Sequence, residues 1–244
     1  SDTVKTITLS GLELAPGLIP ELVSDYEWRF PQLHIRVQDG GTARALEEMV
    51  NQRAAVGLMY RPPTREEKAI VMSAVNDSVL CFPIALGGIQ LLSNDNSGLD
   101  SLDVNDLRRA MRGGQHPGFE RGYAPDPNQG LWDAFRSCLG FATGAPVPDT
   151  VTFLADEKAV VDAVIADPRA IGITSTLSVP DTVVSAGVHA LAVRADGKPV
   201  AALPEYTKIG YGEYPLFHYL YAACLANGSV RGAMFVTYLT SDRG

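Results

Sequence analysis

The sequence predicts an α/β protein, with mostly parallel sheets carrying helices on their faces. Three observations predict it. Strand-like and helix-like segments alternate along the chain. Residues 4–63 alone read strand, helix, strand, helix, strand. The 244 residues also suffice to bury a sizeable core, as one large domain or two lobes of about 100–120 residues.

Each element is justified by its own residues. "VKTITLSG" (4–11) alternates apolar and polar positions and stops at glycine, the pattern of a strand. "PGLIPELVSDYEWRFP" (16–31) places Leu18, Leu22, Tyr26 and Phe30 four apart, an amphipathic helix stopped by Pro31. "LHIRVQDGG" (33–41) is a second alternating strand. "TARALEEMVNQRA" (42–54) is a second helix with Thr42 as its N-cap, and "AVGLMYRPP" (55–63) a short apolar strand. That βαβαβ succession implies a parallel sheet.

Beyond it, "CFPIALGGIQLLSN" (81–94) reads as two strand-like pieces joined through Gly87-Gly88. "SLDVNDLRRAMRGG" (101–114) is a short helix capped by Ser101 and ended by the glycines. The polar loop "APDPNQG" opens a helix at "GLWDAFRSCLG" (130–140). "DEKAVVDAVIADP" (156–168) is another helix, with Val160, Val164 and Ile165 on one side, and "RAIGITST" (169–176) a strand. After "GVHALAV" (187–193), "YPLFHYLYAACLANG" (214–228) and "RGAMFVTYLTS" (231–241) read as a pair of helices.

Composition excludes several functions. The apolar share is 46% and the charged share 20%, as in an ordered globular protein. The net charge of −8, from 20 Lys+Arg against 28 Asp+Glu, disfavours nucleic acid and anionic bilayers. The longest apolar runs are too short to cross a membrane, so no direct insertion is expected. Cys81, Cys138 and Cys224 form no C-x-x-C pair and allow at most one disulfide. His34, His116, His189 and His218 show no metal-ligand spacing, so no metal and no cofactor are expected. No G-x-S-x-G, G-x-G-x-x-G or Walker pattern is present, and no catalytic residue is assigned. The opening "SDTVKTITLS" means either a cytoplasmic protein or one whose signal peptide has been removed.

A series of landmarks carries a family resemblance. "SGLELAP" (10–16) ends the first strand and "GGTARALEEMV" (40–50) the second. Then come "AAVGLMYRPPTREE" (54–67), "FPIALGGIQLLSN" (82–94), "SLDVNDLRRAMRGG" (101–114) and the loop and helix around Leu131 and Phe135. "DPRAIGIT" (167–174), "YPLFHYLY" (214–221) and "FVTYLTSDRG" (235–244) complete the series. In this order they resemble the PstS-like phosphate receptors of ABC transporters, class II periplasmic binding proteins, over nearly the whole chain. The resemblance implies two α/β lobes, each a mostly parallel sheet flanked by helices, hinged by two crossing strands. Lobe 1 would hold residues 1–88 and 189–244, and lobe 2 residues 89–188. His218 stands where the family commonly has arginine and reads as structural.

The resemblance also implies a ligand site, and the residues there diverge. The first turn, Ser10-Gly11-Leu12-Glu13, keeps one hydroxyl but adds an apolar residue and a carboxylate that would repel phosphate unless protonated or turned outward. Gly41-Thr42-Ala43 keeps its hydroxyl. Tyr60-Arg61 keeps a cation. Asn128-Gln129-Gly130-Leu131 loses both hydroxyls of the family's Ser-Gly-Thr. Pro125 stands near the expected arginine, for which Arg121 is the substitute. Plainer readings stand beside these. Thr42 as a cap, Arg61 paired with Glu66 or Glu67, and a solvated Glu13 or Arg44 all fit the same residues.

The resemblance and the residues together lead to the expectation of a non-catalytic solute-binding protein. It would capture phosphate or another small anionic or polar ligand and deliver it to a membrane permease, in the periplasm or cell exterior. Two alternatives remain open. One is a receptor fold retained as a sensory or scaffolding module. The other is an enzyme using Glu13 or a histidine as acid or base beside Leu12 and Leu131.

Overall fold

Alternating side-chain burial and capped helices build the chain in the expected order. The structure is a computed structural model describing residues 5–11, 14–142, 144–179 and 187–241. It begins β1 (Lys5–Ser10), α1 (Leu18–Arg29), β2 (Leu33–Gln38), α2 (Thr42–Val50), β3 (Val56–Met59) and α3 (Arg65–Val75). Next come β4 (Val79–Asn94), β5 (Ser101–Asp103), α4 (Val104–Ala110), β6 (Arg121–Pro125) and α5 (Leu131–Cys138). The chain continues through β7 (Val151–Leu154), α6 (Glu157–Ala166), β8 (Ala170–Ser175), β9 (Val188–Ala190) and β10 (Ala192–Arg194). It ends with α7 (Tyr206–Gly210), β11 (Phe217–Leu225) and α8 (Val230–Leu239). Contacts divide it into unit 1 (Ser1–Ala85, Asn128–Gly130, Tyr219–Gly244) and unit 2 (Leu86–Pro127, Leu131–His218). Residues 189–218 thus go with unit 2, where the sequence reading put them in lobe 1.

In unit 1, β1 is central and parallel to both β2 and β3, in register Lys5↔Leu33 through Ser10↔Gln38 on one side. β11 lies antiparallel to β3. On one face, Ala45, Leu46 and Met49 of α2 and Val71 of α3 pack with Met59 and Ala223. In unit 2, β8 and β9 are antiparallel to β4, β6 is parallel to β8, and β7 is parallel to β6. Val161 and Val164 of α6 pack there with Leu92, Val179 and Val188. β5 and β10 form a separate parallel pair.

Several elements differ from the sequence reading. Residues 217–225 form a strand, not the first member of a helix pair. The buried His218, Leu220, Ala222 and Cys224 alternate with period two. Leu216, Leu220 and Cys224, four apart, share a face in either conformation, so that spacing cannot decide between them. Gly87-Gly88 do not break β4. A Cβ at Gly87 would lie 2.7 Å from Leu177 Cγ and 2.9 Å from His218 Nε2, so glycine is there for close approach within a continuous strand. Asp103, not Ser101, caps α4, accepting from Asn105 N at 2.7 Å. The buried side of α6 is Val160, Val161 and Val164, while Ile165 is 41% exposed. In α1 the buried residues are Ile19 and Tyr26, rather than the whole row from Leu18 to Phe30.

Helix α3 is an addition to the sequence reading. It starts at a capping box in which Thr64 accepts from Glu67 N at 3.1 Å and Glu67 accepts from Thr64 N at 2.7 Å. It stops at Asn76 in the left-handed region, φ +50°. Cys81, Cys138 and Cys224 are free thiols. Among the described residues no helix is long and apolar enough to cross a membrane.

Candidate functional site

Four short segments of unit 1 meet where β1 and β3 end and α2 begins. Ser10, fully buried, closes β1, and its hydroxyl donates to Asp39 O at 3.4 Å. Any side chain at position 40 would strike it, since a Cβ at Gly40 would lie 2.0 Å from Ser10 Oγ. Gly11 takes φ +126° and donates to Gln38 O at 2.9 Å. Leu12 and Glu13, the rest of the first expected turn, lie outside the described residues.

Thr42 is not a cap. The N-cap of α2 is Gly41, in extended backbone with no side-chain bond, and Thr42 is the first helical residue. Its buried hydroxyl accepts the N–H of Tyr60 at 3.2 Å and donates to the carbonyl of Gln129 at 2.8 Å. The turn carrying Gln129 is seated backbone against backbone. A Cβ at Gly41 would come within 2.6 Å of Gln129 Cα and 2.7 Å of Asn128 O. Gly130 takes φ +95°, and a Cβ there would be 2.6 Å from Thr42 Oγ1. Both glycines are required by that approach.

The remaining polar groups are held internally. Tyr60 is 1% exposed, and its phenol donates to the Leu14 carbonyl. Arg61 makes a two-pronged pair with Glu67, Nη1 to Oε2 at 2.7 Å and Nη2 to Oε1 at 2.9 Å. Arg61 holds the Glu67 carboxyl below the ordinary glutamate range, with the Thr64 N–H adding to the effect. The same glutamate therefore caps α3 and fixes the arginine.

A family model described as a PBP superfamily domain matches residues 1–243. The chain belongs to the PBP superfamily. No curated protein sequence is significantly similar to it. Among solved structures it is similar to a putative phosphate ABC transporter substrate-binding protein with bound phosphate from Clostridium perfringens. That match has TM-score 0.78 and 17% identity over 98% of this chain and 95% of that one. An ABC-type phosphate transport receptor from Vibrio cholerae matches with TM-score 0.69 and 19% identity over 98% and 94%. The regulatory domain of CcmR from Synechocystis PCC6803, in complex with 2-PG, matches with TM-score 0.65 and 14% identity over 96% and 95%. At these identities the likeness is one of fold, and the fold is that of the PstS-type receptors.

Within this PBP-superfamily chain, the structure groups Ser10, Gly11, Gly41, Thr42, Tyr60, Arg61, Asn128, Gln129 and Gly130 in unit 1. Ala43 is exposed in the first turn of α2. Two expected residues belong to unit 2. Arg121 lies in β6 of unit 2, paired with Asp167 at 2.7 Å. Leu131 is wholly buried at the start of α5 and is core. Arg44 is exposed and 4.0 Å from Glu48.

Glu67 is the site residue that sequence reasoning passed over as such. Its signal was the T-x-x-E spacing of "TREE". His218, in unit 2, meets Ser175 Oγ at 2.7 Å in a buried contact. Among the described residues no group of three or more His, Cys, Asp or Glu is placed to hold a metal ion.

Chemically, the cluster offers a hydroxyl aimed at an oxygen and the first-turn N–H groups of α2, which have no partner within the helix. Beside them stands a guanidinium whose charge is balanced by Glu67. The Thr42 hydroxyl holds the Gln129 carbonyl oxygen, and the Arg61–Glu67 pair beside it carries little net charge.

Proposed function

We propose that this PBP-superfamily chain is a non-catalytic solute-binding protein. It captures phosphate or another small anionic or polar solute for the permease of an ABC transporter, in the periplasm or at the cell exterior. The observation that carries the reading is the buried Thr42 hydroxyl at the start of α2, which already holds a carbonyl oxygen at 2.8 Å. A ligand oxygen would take the place of the Gln129 carbonyl there, with the α2 amides and Arg61 adjoining. The two phosphate receptors of the same fold support this reading.

A thermal-shift titration against phosphate, sulfate and phosphonates tests it. A ligand at a hundred times its dissociation constant adds about 2.7 kcal/mol, which is several degrees of melting temperature for a chain of this size. A shift selective for phosphate is the expected result. A shift only with another solute retunes the ligand and keeps the class.

One observation favours a second reading, a sensory or scaffolding module whose phosphate site is lost. Thr42, Tyr60 and Arg61 each have an internal partner, in Gln129, Leu14 and Glu67. The regulatory domains that share the fold are consistent with it. No thermal response to any solute in the panel would select this reading over transport.

A further inference from the structure

Unit 2 buries a charge that has no counter-ion among the described residues. Arg136, in the last turn of α5, is only 4% exposed. Its Nη1 donates to the Ala145 carbonyl, while its Nε is buried without a hydrogen-bond partner. It forms no ion pair among the described residues. Its guanidinium carbon stands 5.6 Å from the Trp132 ring centre and 5.2 Å from that of Phe141, so aromatic faces supply part of the missing stabilisation. A buried guanidinium normally also has a carboxylate.

A cavity of about 410 Å³ adjoins it, inside the range of small-molecule sites. Arg112 enters the same cavity from the end of α4, 5.6 Å from the Phe141 ring centre. Met111, Phe141, Val147 and Pro148 make the rest of its wall largely apolar. Asp149 also lines it and pairs with neither arginine. Two cations against one carboxylate leave a local surplus of one positive charge, on a chain whose net charge is −8.

We propose that this cavity binds a small monocarboxylic acid with a compact apolar body. Its carboxylate is held by Arg112 and Arg136, and its body lies against Phe141, Val147 and Pro148. A singly charged head matches the surplus, and the apolar wall asks for more than a bare oxyanion. The inference uses no residue of the unit 1 cluster and stands whether or not phosphate binds there.

The chain has two tryptophans, and Trp132 touches Arg136, so its indole N–H resonance reports on the cavity. Trp28, 79% exposed, serves as the internal control once assigned with Trp28→Phe. Benzoate and isovalerate are titrated into the whole chain, with benzamide as the neutral match. The expected result is a saturable movement of the Trp132 signal by at least one acid and none by benzamide. Arg112→Ala, an exposed change, should weaken the apparent affinity about tenfold, as loss of one charge-assisted contact implies. Arg136→Met should abolish the response; if that variant does not fold, Arg112→Ala decides alone. Silence from both acids, an equal response to benzamide, or an affinity untouched by Arg112→Ala would overturn the proposal.

Discussion

At the scale of single residues, Thr42 carries more than its position suggested. A threonine before a helix most simply caps it, yet here Gly41 occupies the cap and Thr42 joins three segments through one hydroxyl. Thr42→Val keeps the shape and removes the bonds of its hydroxyl to the Tyr60 N–H and the Gln129 carbonyl. We expect it to lower stability by about 1–3 kcal/mol, read from the urea midpoint, and to abolish the phosphate-induced melting shift. Arg61→Ala removes a charge-assisted donor worth about 1.5–3 kcal/mol, so phosphate affinity by calorimetry should fall tenfold or more. An unchanged affinity would take Arg61 out of the site. Arg121 was the other expected cation, and its bond to Asp167 depends on strand register that no local pattern reveals.

At the scale of elements, α3 and β11 teach opposite lessons. α3 was legible in principle, because Thr64 and Glu67 have the spacing of a capping box. Thr64→Ala should cost about 1 kcal/mol in chemical denaturation. Glu67 adds a pH dependence whose sign is fixed. Its folded value lies below the ordinary glutamate value of about 4.3, so its contribution is complete above that value and is lost as pH falls toward the folded one. Glu67→Gln should therefore flatten the acid limb of the stability curve while changing its shape little above pH ~6. If the acid limb of the variant stays as steep as that of the native chain, the pairing with Arg61 contributes nothing. β11 was not legible, because a four-residue spacing belongs to a helix face and to a strand face alike. Pairing with β3 settled it.

At the scale of the whole molecule, charge opposes the proposed ligand. With a net −8, an approaching anion is repelled until salt screens the field. Association of phosphate in stopped-flow measurements should quicken as ionic strength rises, whereas a neutral solute should associate at a constant rate. A phosphate rate that falls with salt would mean that a local positive field governs entry. The α/β class and the βαβαβ opening were determined by the sequence itself, because hydrophobic period and turn residues act over neighbours in the chain. So was the resemblance that the PBP-superfamily match bears out, since it rests on ordered landmarks along the chain rather than on one motif. Only the tertiary structure decided what each polar residue holds: Thr42 the Gln129 carbonyl, Arg61 the Glu67 carboxylate, and Arg136, among the described residues, no carboxylate. These partners lie far apart in sequence or turn on a rotamer, and hydrogen bonds form between atoms that meet in space, which one-dimensional spacing does not specify.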